Sequence, residues 1–132
     1  MKPFLSENGP KPIGPYSQAV ISGKYIFLSG QLPIDPEKGN VCGPPIQRQT
    51  ERVLLNIKAI LEDAGSGLDR VVMVFMALSN LSEYKGMNEV YERFFSENPP
   101  ARFIFEASRL PKDVKIEVSV IAELRQEEEP LG

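Results

Sequence analysis

The sequence predicts an α+β fold, with two helices packed on one face of a mixed sheet. Three observations predict it. Two stretches repeat apolar residues at helical spacing, five others read as strands, and their order is β-β-α-β-α-β-β. At 132 residues the chain is read as one domain, 1–132, large enough to bury a core without disulfides or metal.

The opening, through Pro15, holds Pro3, Pro10, Pro12 and Pro15 with Gly9 and Gly14, and is expected to be irregular. Residues 17–21 and 25–29 flank a turn-like Ser22-Gly23-Lys24 and read as a hairpin. Residues 30–45, rich in Gly and Pro, read as a long loop containing a tight turn at Asp35-Pro36-Glu37-Lys38-Gly39. A first helix begins near Pro45: Val53, Ile57, Ile60, Leu61 and Ala64 recur at helical spacing, and Gly65 stops it. Val71–Leu78 follows, and its Val-Val-Met-Val-Phe start favours a strand. Ser82 is the expected cap of the second helix. Its apolar face is Met87, Val90, Tyr91, Phe94 and Phe95, and Asn98-Pro99-Pro100 ends it. Residues 101–107 and 114–123 read as two more strands, joined by a loop containing Pro111-Lys112-Asp113. The last residues, 125–132, with Glu127-Glu128-Glu129-Pro130, read as a mobile acidic tail.

Strand residues alternate faces. In the last strand Val114, Ile116, Val118, Val120 and Ala122 form an apolar column expected to meet the helices, which leaves Lys115, Glu117, Ser119, Ile121 and Glu123 on the other side. In the preceding strand Phe103 and Phe105 form one column, and Arg102, Ile104 and Glu106 the other. With the phenylalanines under the helices and the two strands paired as a hairpin, Arg102 and Glu117 share the opposite face. Val71–Leu78 is apolar throughout, which implies burial on both sides. Two helices cover only one side, so a second copy of the chain is expected on the other.

Composition removes several kinds of chemistry. There is no histidine and only one cysteine, Cys42, which excludes Ser-His-Asp and Cys-His machinery and the common zinc and iron ligand sets. Proton transfer then rests on carboxylates, Lys, Tyr, Cys42, backbone groups or water. A net charge of −3 argues against a nucleic-acid partner. No apolar run approaches a membrane span or a signal peptide, so the expected partners include no membrane and the expected location is the cytoplasm. Cys42 sits in the Gly-Pro loop and is read as incidental.

An arginine and a glutamate on one covered sheet face have two readings. The pair is either an interfacial salt bridge or two unrelated surface charges, or else a carboxylate-binding fork beside a general acid–base. Spacing alone does not choose between them.

The motifs around the pair bear on that choice. In order come Ile13-Gly14-Pro15-Tyr16-Ser17-Gln18-Ala19, Leu28-Ser29-Gly30-Gln31-Leu32-Pro33, Met87-Asn88-Glu89-Val90-Tyr91, Pro99-Pro100-Ala101-Arg102, Arg109-Leu110-Pro111 and Lys115-Ile116-Glu117. From about Pro12 to Glu123 this series resembles the RidA (reactive-intermediate, or imine, deaminase) family. The resemblance implies a chorismate-mutase-like homotrimer with clefts between subunits and no metal or other cofactor. It also implies hydrolysis of small-molecule 2-imino acids or enamines, of the 2-aminoacrylate and 2-aminocrotonate type, to 2-oxo acids and ammonia. Arg102 then matches the residue that holds the substrate carboxylate, and Glu117 the one that positions water and shuttles protons. Tyr16, Ser29, Gly30, Tyr84 and Asn88 match further pocket positions.

One residue departs from the pattern. Ile104 stands where deaminating members often carry Cys or Thr, and alternation puts it beside Arg102 in the cleft. The alternative is therefore non-enzymatic binding or sensing of 2-oxo acids at the same clefts. RNA cleavage, also attached to this family, is disfavoured by the acidic composition and the missing histidine.

Overall fold

The computed structural model describes residues 1–126; the tail expected at 125–132 lies outside it from Glu127 onward. Six strands form one sheet: β1 (Lys2–Phe4), β2 (Ala19–Ser22), β3 (Tyr25–Leu28), β4 (Val71–Leu78), β5 (Ala101–Glu106) and β6 (Ile116–Glu123). Their spatial order is β1-β2-β3-β6-β4-β5. Helices α1 (Ile46–Asp63) and α2 (Tyr84–Phe94) pack together against one face of this sheet. The fold class is the one the sequence predicts, with one strand added. β1 lies in the opening that reads as irregular, and it tolerates Pro3 because an edge strand needs ladder bonds on one side only.

Local chemistry accounts for most boundaries. Gly23, at φ +60°, turns the β2–β3 hairpin. In the loop after β3 the Asp35 carboxylate accepts the Glu37 and Lys38 amides and closes the expected tight turn. α1 ends where Gly65 adopts φ +83°. The Ser66 amide donates to the Leu61 carbonyl and the Gly65 amide to Glu62, which is a Schellman stop. Asn80, not Ser82, caps the turn leading into α2: its Oδ1 accepts the Ser82 amide at 3.0 Å. The reason is a single 3₁₀ turn at Leu81–Glu83, which shifts the cap upstream.

The main core lies between helices and sheet. Leu54, Ile57, Ile60 and Leu61 of α1 meet Val74, Met76 and Leu78 of β4 and Ile116, Val118 and Val120 of β6, all fully buried. A second small cluster forms on the other face at the C-terminal end of β4. There Ala77, Leu110 and Val114 pack with Leu32 and Val41, so the loops after β3 and β5 cover that end. Val114 therefore leaves the helix-facing column that alternation assigns it.

Strand pairing overturns the expected β5–β6 hairpin. β6 sits between β3 and β4, antiparallel to both, while β5 runs parallel to β4 at the sheet edge. The apolar column of β6 needs neighbours on both sides, whereas β5 is exposed at alternate positions and suits an edge. The parallel register sets Arg102 level with Val74, and Ile104 level with Met76, on the helix face. Phe103 and Phe105 pair with Phe75 and Ala77 on the other face and are 56% and 45% exposed. Arg102 and Glu117 therefore do not share a face: Glu117 pairs with Ala77 on the side away from the helices.

Candidate active site

Arg102 is held on the helix face by the exposed flank of α2. Its Nη1 donates to Asn88 Oδ1 at 2.9 Å and its Nη2 to the Tyr84 hydroxyl at 2.8 Å. The guanidinium carbon lies 4.6 Å from the Tyr91 ring centroid and 5.6 Å from that of Tyr84. Residues 84, 88 and 91 fall at i, i+4 and i+7, so one helical stripe presents both acceptors and both rings. Two of five N–H donors are thereby oriented, and others remain for a bidentate anion. A cavity of about 740 Å³ opens here, lined by Asn88, Tyr91, Glu92, Pro99, Pro100 and Arg102 among others.

Tyr91 is the member that sequence reading missed, because its apolar spacing marks it only as core. The spacing from Tyr84 and Asn88 was the available signal. It is buried, and its hydroxyl makes no geometrically formed hydrogen bond among the described residues. Burial raises its pKa, against the opposing pull of the nearby Arg102 charge.

Glu117 anchors a second constellation on the opposite face. A cavity of about 470 Å³ lies over it, bounded by Tyr16, Ser29, Gly30, Leu32, Ile34 and the loop at Pro10–Ile13. Gly30 lets the Glu117 carboxylate lie close against the backbone: a Cβ there would overlap Glu117 Oε2 and lie 3.0 Å from its Cδ, so the glutamate side chain would have to shift. The walls are stiffened by internal bonds. Ser29 Oγ donates to the Ser17 carbonyl at 2.6 Å, and Gln31 pairs through its backbone with Val118 beside Glu117. Tyr16 Oη accepts the Ile13 amide at 3.3 Å. No donor among the described residues bonds the Glu117 carboxylate, and burial pushes its pKa above the usual carboxylate range. Such a carboxyl can exchange protons nearer neutrality.

The residues singled out from sequence thus form two groups. Tyr16, Ser29, Gly30 and Glu117 come together on one face, and Arg102, Asn88 and Tyr84 on the other. Ile104 lines neither cavity; it is partly buried against the helix-side core. Among the described residues no three His, Cys, Asp or Glu side chains are gathered as metal ligands, and no helix is long and apolar enough to cross a membrane.

Comparison with known proteins gives consistent matches. A family model described as Endoribonuclease L-PSP matches residues 6–124. A RutC family protein of Pyrococcus abyssi is 55% identical over 119 residues, covering 90% of this chain and 94% of that protein. The 2-iminobutanoate/2-iminopropanoate deaminase of Salmonella typhimurium is 41% identical over 124 residues, 92% of this chain and 96% of that one. The crystal structure of E. coli TdcF with bound serine superposes with a TM-score of 0.89 at 34% identity, over 95% of this chain and 100% of that chain.

Proposed function

The chain belongs to the RidA-type family matched by the Endoribonuclease L-PSP model, and on that premise we propose that it hydrolyses small 2-imino acids to 2-oxo acids and ammonia. One observation carries the reading: a partly buried, unbonded carboxyl with a raised pKa faces a cavity large enough for a small acid. An arginine fork, oriented by two side-chain acceptors, supplies the matching carboxylate receptor. The serine bound in the related crystal structure is a small amino acid of the same general size.

Arg102 and Glu117 lie on opposite faces of one sheet, so one copy of the chain does not bring them together. In the proposed homotrimer the β5 edge of one subunit reaches the Glu117 cavity of the next, and each cleft takes its arginine and its glutamate from different copies. The exposed Phe27, Phe75, Phe103 and Phe105 on the face away from the helices supply an apolar surface for that contact.

In the cleft Arg102 holds the substrate carboxylate. The Glu117 carboxylate takes a proton from water as the water oxygen bonds to the imine carbon. The protonated Glu117 returns that proton to nitrogen to give the carbinolamine; Glu117 then takes the carbinol hydroxyl proton and passes it to the amine, so that the C–N bond breaks, NH3 leaves and the carbonyl of the 2-oxo acid forms. These imines also hydrolyse unaided, so positioning and proton transfer suffice.

The test uses 2-iminopropionate and 2-iminobutyrate generated in situ. Wild type accelerates ammonia release, and Arg102→Ala and Glu117→Gln each abolish most of the acceleration. Mixing the two inactive variants after reversible dissociation restores about one site in four, because an interface between copies then pairs an intact Arg102 with an intact Glu117. No acceleration by wild type refutes the reaction, and no recovery on mixing refutes the shared cleft. Saturable binding of pyruvate or 2-oxobutyrate without imine turnover instead identifies a sensor. RNA cleavage is not proposed, since the chain has no histidine and a net charge of −3.

A further inference from the structure

The sheet separates α1 from Glu117, yet α1 reaches that residue through a loop. Three polar side chains are buried along the helix: Gln49, Thr50 and Asn56. Thr50 is satisfied inside the helix, where its hydroxyl donates to the Ile46 carbonyl at 2.8 Å. Asn56 bonds outside it, to the segment after β3. Its Nδ2 donates to the Ile34 carbonyl at 2.8 Å and to the Leu32 carbonyl at 3.4 Å. Arg52, one turn earlier, donates its Nε to Asn56 Oδ1 at 3.1 Å and so sets which way the amide points. Gln49 holds the far end of the same segment, donating to the Cys42 carbonyl at 3.0 Å. Between the two ends the Cys42 amide donates to the Pro33 carbonyl at 3.0 Å and the Asp35 amide to the Asn40 carbonyl at 2.9 Å, so the segment moves as a unit.

An asparagine with no exposure, among the apolar side chains of α1, carries a desolvation cost that only its bonds offset. Those bonds lead to Glu117. Leu32 packs with Ala77, Leu110 and Val114 on the face away from the helices, so the segment passes around the end of the sheet. One residue before it, Gln31 exchanges backbone bonds with Val118 at 2.7 and 3.0 Å. One residue before that, Gly30 lies against the Glu117 carboxylate.

From this series of contacts we propose that Asn56, oriented by Arg52, is a positioning residue for Glu117. It acts through the Leu32 and Ile34 carbonyls, which hold Gln31 and Gly30 where they set the carboxylate. Every contact in the series lies within one chain, so the device is complete whichever copy supplies Arg102 to the cleft. The proposal rests on the imine-hydrolysis reading above. Its loss falls on proton transfer at Glu117 and leaves the substrate carboxylate on Arg102.

Asn56→Leu keeps a branched side chain and removes both donors. With 2-iminopropionate and 2-iminobutyrate, kcat falls roughly 10- to 100-fold, the loss expected when a reacting group is misplaced by up to about 1 Å, while KM changes less than about threefold. Arg52→Ala, at a half-buried position, keeps the donors but frees the amide to turn. It gives the same pattern at several-fold, and it decides the question should the leucine variant not fold. Ile57→Val, a core methylene lost from the neighbouring position, lowers Tm and keeps kcat. Combined with Gly30→Ala, Asn56→Leu costs less than the product of the two single losses, because both act on one carboxylate; Ile57→Val with Gly30→Ala multiplies. An unchanged kcat in a folded Asn56→Leu protein with Arg52→Ala also unchanged, a rise in KM alone, an equal fall in Ile57→Val, or a multiplicative Asn56–Gly30 cycle overturns the proposal. Hydrogen exchange gives a readout that needs no turnover. In both Asn56→Leu and Arg52→Ala the Gln31 amide exchanges faster than in wild type, and the amides of β4 do not. A wild type that turns over no imine removes the reaction, and unchanged exchange at Gln31 removes the positioning role.

Discussion

Replacing Gly30 with alanine sets a methyl group against the Glu117 carboxylate and tests whether that carboxylate must stand where the fold places it. The added Cβ overlaps Oε2 and lies 3.0 Å from Cδ and 3.2 Å from Cγ. Gly30 is not among the positive-φ residues, so its backbone accepts alanine and the conflict falls on the glutamate side chain. Turning Glu117 about 30° off its rotamer costs about 0.5–1.5 kcal/mol. In a domain of this size that lowers Tm by roughly 2–5 °C. The displaced carboxylate moves by about 1 Å, and misplacement on that scale costs about 100-fold in rate. Gly23→Ala is the control, because its added Cβ meets nothing within 4 Å while its φ of +60° penalises alanine. That variant loses about 1–2 kcal/mol of stability and keeps its imine-hydrolysis rate. The assays are a thermal melt and acceleration of 2-iminopropionate hydrolysis, run on both variants. A folded Gly30→Ala protein with a rate within about twofold of wild type refutes the reasoning, and so does an equal rate loss in both variants.

Burial raises the Glu117 pKa, so the acid limb of the pH profile of kcat/KM lies above the ordinary carboxylate range. Between the unfolded and folded pKa values the native state binds the extra proton, so this group's contribution to stability falls as pH rises through that window. Glu117→Gln is therefore more stable than wild type above the window and not below it, as denaturant titrations across pH will show. Arg102→Lys loses the planar fork and keeps the charge; KM for 2-iminobutyrate rises about 100-fold and lysine rescues little over alanine. Tyr91→Phe keeps the ring beside Arg102 and removes a buried hydroxyl that has no well-formed hydrogen bond among the described residues, so it melts higher and retains KM. Tyr91→Leu removes the ring, and KM rises between about 2- and 30-fold with kcat little changed. Equal KM values for the phenylalanine and leucine variants count against the stacking role.

Much of the fold is legible in the sequence because its signals are local. Val53, Ile57, Ile60 and Leu61 mark the buried stripe of α1, Gly65 its stop, and the alternation from Ile116 to Ala122 the buried column of β6. β1 is hidden because three residues containing Pro3 carry no strand pattern, and only pairing with β2 makes them one. The site residues are legible as a set of motifs, but not as an arrangement. Tyr84, Asn88 and Tyr91 gain meaning only once β5 lies beside α2 and brings Arg102 among them.

The sequence by itself determined the order of the elements from β2 onward, the helix-facing column of β6, the family resemblance and the choice of Arg102 and Glu117 as candidates. Only the tertiary structure decided which face of the sheet each of those two occupies. Alternation in β5 gives two columns but not their direction, since Phe103 and Phe105 are as apolar as a core column should be. The direction follows from long-range pairing. β6 enters between β3 and β4, which pushes β5 to the edge, and the parallel register with β4 turns Arg102 toward the helix and the phenylalanines away from it. A guanidinium with acceptors at Asn88 and Tyr84 is stable there, and the aromatic column is left exposed.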